Sequence, residues 1–202
     1  MIIRMQMFKF LIALSMLVSL GVQASERAIL PGCQKAVSAF LSTPAKRTLI
    51  ALSESDDADC WAVIGSSNAN INQLILSVEK GNRWAAQYLA KHLRKLDGGN
   101  LEDSLIALGQ FSDRNMERLL IFANKNQLSR HEFTDALTML PLSLSDNPLA
   151  QLESLKARRN SLMRVTRKDL LEQRAQAIKA IDGFVSEIRS KNPVTTGDLP
   201  LR

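Results

Sequence analysis

The chain has 202 residues, a formal net charge of +6, 46% hydrophobic residues and only 5% aromatic residues. This length and composition fit one globular domain with a real core, and the abundance of Leu, Ala, Gln, Glu, Lys and Arg favours helices. No stretch alternates β-branched and polar residues between turn signals, so the sequence argues against a β-sheet fold.

Residues 1–24 have the pattern of a secretory signal peptide. Arg4 and Lys9 supply positive charge, residues 10–20 form an apolar run, and the Val-Gln-Ala stretch ending at Ala24 is a small-x-small cleavage site. The apolar run is shorter than the roughly 20 residues that a membrane span needs. We therefore predict cleavage near Ala24 and a periplasmic or secreted protein of a diderm bacterium. Retention of the segment as an N-terminal anchor is the alternative.

The two cysteines, Cys33 and Cys60, both lie after the predicted cleavage site. An even pair in an exported protein predicts one disulfide, and two separate buried thiols are the alternative. The spacing of the pair does not match a redox-active C-x-x-C motif. We interpret residues 25–69 as a helical lobe pinned by this disulfide. Within it, residues 53–59 form either a loop or the acidic first turn of a helix.

Residues 70–140 carry amphipathic segments that recur at an offset of 30 residues. Asn70 aligns with Asn100 and Asn82 with Ser112, and all four are residue types that cap helix N-termini. The apolar positions between these caps are spaced three or four apart, which is the period of a helix face. The pattern predicts an all-α fold in this region, either stacked helical hairpins or an irregular helical bundle.

Two polar turns punctuate this middle region. The stretch 97–103 is too short for a calcium-binding loop and has the wrong order of oxygen ligands. We therefore interpret Gly98 and its neighbouring glycine as the end of one helix and Asn100 as the cap of the next. Ser129 and Glu132 form a capping box, which opens a weaker third unit.

Residues 147–191 are predicted to form a long basic helix. Residues 148–191 contain ten Lys or Arg and five Asp or Glu, whereas residues 25–147 have a net charge of −1. The apolar stripes of the two halves lose phase near Thr166, so we predict one kinked helix, with two helices as the alternative. A flexible tail is predicted at 192–202. The cations proposed to bind a partner are Arg158, Arg159, Arg164, Arg167 and Lys168.

No residue pattern identifies a catalytic, metal-binding or cofactor-binding site. The Glu-Ser pair that begins at Glu54 resembles the opening of the lytic transglycosylase motif, but the Gly-Leu-Met-Gln stretch of that family has no match here. His92 and His131 lack a neighbouring His or Cys at the spacing that zinc sites use, so both are predicted to lie at the surface. We therefore predict no catalytic residue, no metal and no cofactor.

One aromatic pair is a candidate for either the core or a binding surface. Trp84 and Tyr88 are four residues apart, which places them on one face of a helix. Such a pair belongs to the core more often than to an interface, and we favour the core. If the pair were exposed, it would be the natural anchor for a partner.

The leading functional hypothesis is an exported, non-catalytic module that binds another envelope protein, as inhibitors, immunity proteins and assembly factors do. One alternative is a peptidoglycan-acting enzyme with Glu54 as general acid. A second alternative is association with an anionic membrane surface through Arg158, Arg159 and Arg164. Export makes nucleic acid an unsuitable partner, although the basic charge alone would allow it.

Overall fold

The structure, a computed structural model, describes residues 31–192. The predicted signal peptide at 1–24 and the predicted tail from residue 193 onward lie outside this range. Within the described range all regular secondary structure is helical, which confirms the predicted all-α class. The α-helices of residues 31–192 are α1 (Pro31–Ser42), α2 (Lys46–Glu54), α3 (Asp57–Gly65), α4 (Asn68–Glu79), α5 (Arg83–His92), α6 (Gly98–Asn124), α7 (Arg130–Thr138), α8 (Pro148–Met163) and α9 (Leu171–Lys191).

The first three helices pack around the predicted disulfide. α1 contacts both α2 and α3, and Cys33 of α1 is bonded to Cys60 of α3, with Cα atoms 4.9 Å apart. The side chain of Asp56 accepts hydrogen bonds from two backbone N–H groups in the first turn of α3 and so caps that helix. The second half of the acidic stretch 53–59 is therefore a helix start, one of the two structures that the sequence allowed.

Replacing both Cys33 and Cys60 by Ala should lower the free energy of unfolding. The bond joins residues 27 positions apart, and closing a loop of this length restricts the unfolded chain by about 3 kcal/mol. Urea unfolding followed by far-UV circular dichroism measures the loss. Reduced wild type should unfold at the same urea concentration as the double variant, and reductant should leave the double variant unchanged. Equal midpoints for oxidised and reduced wild type would contradict a stabilising bond.

The predicted cap between the two helices of the first pair is present, whereas the predicted cap between the two helices of the second pair is not. Asn82 accepts hydrogen bonds from backbone N–H groups at the start of α5, as predicted. The aligned residue, Ser112, lies inside α6 and donates its hydroxyl to the Gly109 carbonyl oxygen at 2.7 Å. Helical dihedral angles are interrupted in α6 only at Asn115, with φ −134° and ψ 39°. Residues 98–124 thus comprise two helical segments joined by a kink at Asn115, three residues after the predicted cap at Ser112.

Two predicted helix caps are also wrong, because Asn70 and Asn100 lie inside helices. α4 begins earlier, and the Ser67 hydroxyl accepts a hydrogen bond from the backbone N–H of Asn70. α6 begins at Gly98, whose φ of +50° is a conformation that glycine adopts readily. A Cβ atom at this position would have no neighbour within 4 Å. This glycine therefore starts a helix rather than ending the one before it.

The predicted capping box that opens α7 is present. The Ser129 hydroxyl accepts a hydrogen bond from the backbone N–H of Glu132, whose carboxylate accepts one from the backbone N–H of Ser129. Behind this start, Phe133, Ala136 and Leu137 are buried, as the helical spacing predicted. They form the face of α7 that belongs to the core, and α7 packs against α6.

A long C-terminal helix is present, since α9 extends over 21 residues, but it does not cover all of 147–191. A turn at residues 164–170 separates α8 from α9, which is the two-helix alternative. Val165 and Leu170 in this turn are both buried, so the chain bends to bring them and the two out-of-phase apolar stripes into the core. Arg174 of α9 donates to the Val165 carbonyl oxygen at 2.8 Å. α8 and α9 pack against each other, while α8 also contacts α6 and α9 contacts α7.

Candidate functional site

The prediction that Arg158 is a surface cation is wrong, since only 1% of the residue is exposed. Its Nε donates to a carboxylate oxygen of Asp113 in α6 at 2.8 Å. Its Nη1 donates to the carbonyl oxygens of Leu137 and Met139 at 2.9 and 3.1 Å. These carbonyl groups lie at the C-terminal end of α7, where the helix itself supplies no partner. One guanidinium from α8 therefore joins α6 and α7.

Gly109 provides the space for this buried guanidinium. A Cβ atom at position 109 would lie 2.6 Å from the carbonyl oxygen of Ala136 and 3.0 Å from both terminal nitrogens of Arg158. Gly109 lies one turn before Asp113, so the two residues share a face of α6. α6 thus supplies both the space and the negative charge that Arg158 requires.

The prediction that His92 lies at the surface is also wrong, because only 2% of it is exposed. Its ring stacks on Trp61 with centroids 4.6 Å apart. Its Nε2 lies 3.1 and 3.2 Å from the carboxylate oxygens of Asp57, and Lys91 contacts the same carboxylate at 2.6 Å. This cluster joins α3 to α5. His131, in contrast, is exposed as predicted.

The surroundings of His92 favour its neutral form. Burial lowers the pKa of His92 below its ordinary value, and Asp57 offsets only part of that effect. Burial also acts to raise the pKa of Asp57, but Lys91 and His92 outweigh it and hold this pKa below its ordinary value. Nδ1 of His92 has no hydrogen-bond partner among the described residues, so a proton there would be buried unpaired. We therefore infer a neutral imidazole that donates from Nε2 to Asp57.

Stability should fall as the pH decreases below the ordinary His value of 6.5. Above this pH both folded and unfolded chains carry a neutral His92. Below it the unfolded chain takes up the proton first, and the loss grows until the pH reaches the lowered folded-state pKa. His92→Gln should remove this part of the pH dependence, and His131→Gln is the matched control. Urea midpoints measured at a series of pH values test this, and an unchanged slope in His92→Gln would contradict it.

Of the predicted aromatic pair, Tyr88 lies in the core and Trp84 lies at its edge. Tyr88 is buried, with its ring centroid 5.3 Å from Phe40 and 5.9 Å from Trp61, so its alternative role as a partner-binding residue is wrong. Trp84 is half-buried, and the Arg83 guanidinium lies 4.4 Å from the centroid of its ring. The core interpretation is thus confirmed for Tyr88, while one side of Trp84 faces a cation.

Two of the predicted surface cations are engaged in ion pairs with neighbouring helices. Arg159 of α8 contacts Asp182 of α9 at 2.8 Å. Arg167, in the turn between these helices, contacts Glu117 of α6 at 3.1 Å and also binds Asp169. The first contact joins α8 to α9, and the second joins the turn between them to α6. Both side chains are therefore already partnered.

The remaining predicted cations, Arg164 and Lys168, lie at the turn between α8 and α9. We call the exposed side chains of residues 163–171 at this turn the cationic corner. Arg164 and Lys168 are exposed there, and across residues 31–192 neither has a carboxylate within ion-pair distance. Met163 and Leu171 border them and are 53% and 39% exposed. The corner thus combines apolar side chains with two cations that make no ion pair within residues 31–192.

A groove of about 480 Å³ lies where the N-terminal end of α8 meets the C-terminal end of α9. Phe184 and Ile188 contribute apolar surface to it. Glu187 and Lys191 also line it, and they bind each other at 2.6 Å. Asp146 also lines the groove, so its lining carries one net negative charge.

Glu54, the residue considered as a general acid, is exposed at the end of α2. A carboxyl group that acts as a general acid near neutral pH is usually buried, and Glu54 is not. Within residues 31–192, no group of three or more His, Cys, Asp or Glu side chains is placed to hold a metal ion. In the same range, no helix is both long enough and apolar enough to cross a membrane.

The class of this protein is defined by its all-α fold, since comparison with known proteins finds no relative. No protein-family model, no curated protein and no solved structure matches it. The chain is an all-α protein with a bonded cysteine pair, and its function must be argued from its own surface.

Proposed function

We propose that this protein is an exported, non-catalytic module that binds another protein of the bacterial envelope. The observation that carries the proposal is the cationic corner, where partly exposed apolar side chains adjoin cations without carboxylate partners in residues 31–192. Protein interfaces commonly combine an apolar centre with a polar and charged rim. The corner supplies both components within one short stretch of chain.

The corner is also held in a fixed shape. Its buried residues Val165 and Leu170 anchor the turn in the core, and Arg174 bonds the backbone of that turn. Arg167 connects it to Glu117 of α6. A surface that is already ordered loses little conformational freedom when a partner binds, which favours affinity.

Export is part of the proposal and is supported by the sequence. Residues 1–24 have the charge pattern, apolar run and cleavage site of a signal peptide. The bonded pair of Cys33 and Cys60 suits an oxidising compartment. Mass spectrometry of the protein from a periplasmic extract should find a chain that begins at Ser25. Recovery only from the cytoplasm, with residues 1–24 intact, would contradict export.

Binding is tested by affinity purification of the tagged protein from a periplasmic fraction at low salt. We expect a partner in stoichiometric amount that is lost from the double variant Arg164→Glu with Lys168→Glu. The matched control is Lys156→Glu with Lys179→Glu, which makes the same change of charge at exposed positions of α8 and α9. The absence of any partner, or equal loss from both double variants, would contradict the proposal.

A further inference from the structure

We infer that the partner of the cationic corner is an acidic protein surface with a shallow apolar depression. The inference rests on the proposed protein-binding function and names the chemistry of the partner. It follows from three properties of the corner: its charge, its exposed apolar side chains and the carboxylates that lie beside it.

The charge of the corner requires a negatively charged partner. Burying Arg164 and Lys168 in an interface would remove water from two cations that make no ion pair in the described part of the chain. Such burial is unfavourable unless the partner supplies carboxylates at close range. Arg114 of α6 is also exposed and lies one turn before Glu117, the residue that contacts Arg167. It extends the same positive surface along α6.

The apolar side chains require a depression in that partner. Met163 ends α8 and Leu171 begins α9, so they border the turn on its two sides. Both are partly exposed, whereas Val165 and Leu170 in the turn itself are buried. Side chains that become fully desolvated near the centre of an interface contribute most to binding, and methionine is enriched at such positions. The flexible side chain of methionine adapts well to an irregular pocket.

An acidic protein fits this surface better than an anionic membrane does. Glu117 and Asp169 lie beside the cations, held there by Arg167. A layer of anionic headgroups would repel both carboxylates. A protein surface can instead place a hydrogen-bond donor opposite each of them while its own carboxylates meet Arg164 and Lys168. Two partly exposed apolar side chains also give little area for insertion into lipid.

The inference is tested by site-specific photo-crosslinking of the full chain in the bacterium that produces it. Met163→benzoylphenylalanine and Leu171→benzoylphenylalanine should each give the same single protein adduct. Leu76→benzoylphenylalanine, at an exposed apolar position of α4, is the control and should not give this adduct. Mass spectrometry of the adduct should place the crosslink in a segment of the partner that contains several Asp or Glu residues beside apolar ones.

A charge swap then tests whether carboxylates of the partner are needed for binding to the corner. Arg164→Glu with Lys168→Glu should reduce the adduct roughly tenfold, and Lys substitutions at the acidic residues of the partner should restore it. A crosslinked segment without acidic residues, or failure of restoration, would overturn the inferred partner chemistry. Adducts that arise only at Leu76 would preserve protein binding but remove it from the corner. The absence of adducts at every position would remove the proposed function as well.

A parallel measurement separates the lipid alternative. The purified protein is mixed with vesicles that contain phosphatidylglycerol and with vesicles of phosphatidylcholine alone. We expect no difference in sedimentation between the two mixtures. Binding to the anionic vesicles that is lost in Arg164→Glu with Lys168→Glu would overturn the inference in favour of a membrane surface.

Discussion

Replacing Arg158 by Ala is expected to lower the free energy of unfolding by about 3–5 kcal/mol, the largest effect of any single substitution that we consider. The variant would leave the carbonyl groups of Leu137 and Met139 without their donor and Asp113 without its cation. It would also leave a cavity where the long side chain was buried. Equilibrium urea unfolding, followed by far-UV circular dichroism, measures the loss.

The adjacent residue provides the matched control. Arg159→Ala removes the same chemical group one position later, where it is partly exposed and, among residues 31–192, binds Asp182 alone. Because surface ion pairs contribute little, this variant should unfold close to the wild-type urea concentration. If Arg158→Ala and Arg159→Ala had similar small effects, Arg158 would not hold α6, α7 and α8 together.

Gly109→Ala should lower the free energy of unfolding by about 3 kcal/mol, although alanine normally stabilises a helix relative to glycine. The added methyl group would collide with the Ala136 carbonyl oxygen at 2.6 Å and press on the Arg158 guanidinium at 3.0 Å. The first of these atoms is backbone, so relief requires α6 and α7 to move apart. Thermal and urea unfolding both report this change.

Gly183→Ala is the control for the backbone effect of the substitution. Gly183 is also inside a helix, but a Cβ atom there would have no neighbour within 4 Å. The control variant should be as stable as wild type or more stable, since alanine restricts the unfolded chain and favours helix. Opposite signs for the two glycines are the expected result. A stabilising Gly109→Ala would show that α7 and Arg158 do not approach α6 this closely.

Local sequence patterns predicted local structure well. Asn82 and Ser129 cap helices, because the groups that bind each cap lie within three residues of it. Ser112 has a similar sequence context but is buried within α6, where its hydroxyl finds a carbonyl oxygen in its own helix. The residue type alone did not distinguish these cases, since the deciding factor is burial by other helices.

The burial of Arg158 and His92 does not follow from the sequence, for a related reason. Arg158 is paired with Asp113, 45 positions away, and His92 with Asp57, 35 positions away. A single sequence contains no measure of such distant pairing, so from the sequence alone a cation in a basic helix is expected at the surface. One signal was present: Gly109 interrupts an otherwise apolar helical pattern, and a glycine inside a helix often marks a close approach by another group.

The burial of Arg158 also has a consequence for the order in which the chain folds. Its guanidinium can leave water favourably only when Asp113 and the C-terminal end of α7 are already in place. α8 and α9 should therefore dock last and open first, and native-state hydrogen exchange should show their amides exchanging through openings smaller than global unfolding. Exchange of all core helices through global unfolding alone would contradict this order. The cationic corner lies on this late-docking hairpin, so a partner that recognises it would select chains whose folding is complete.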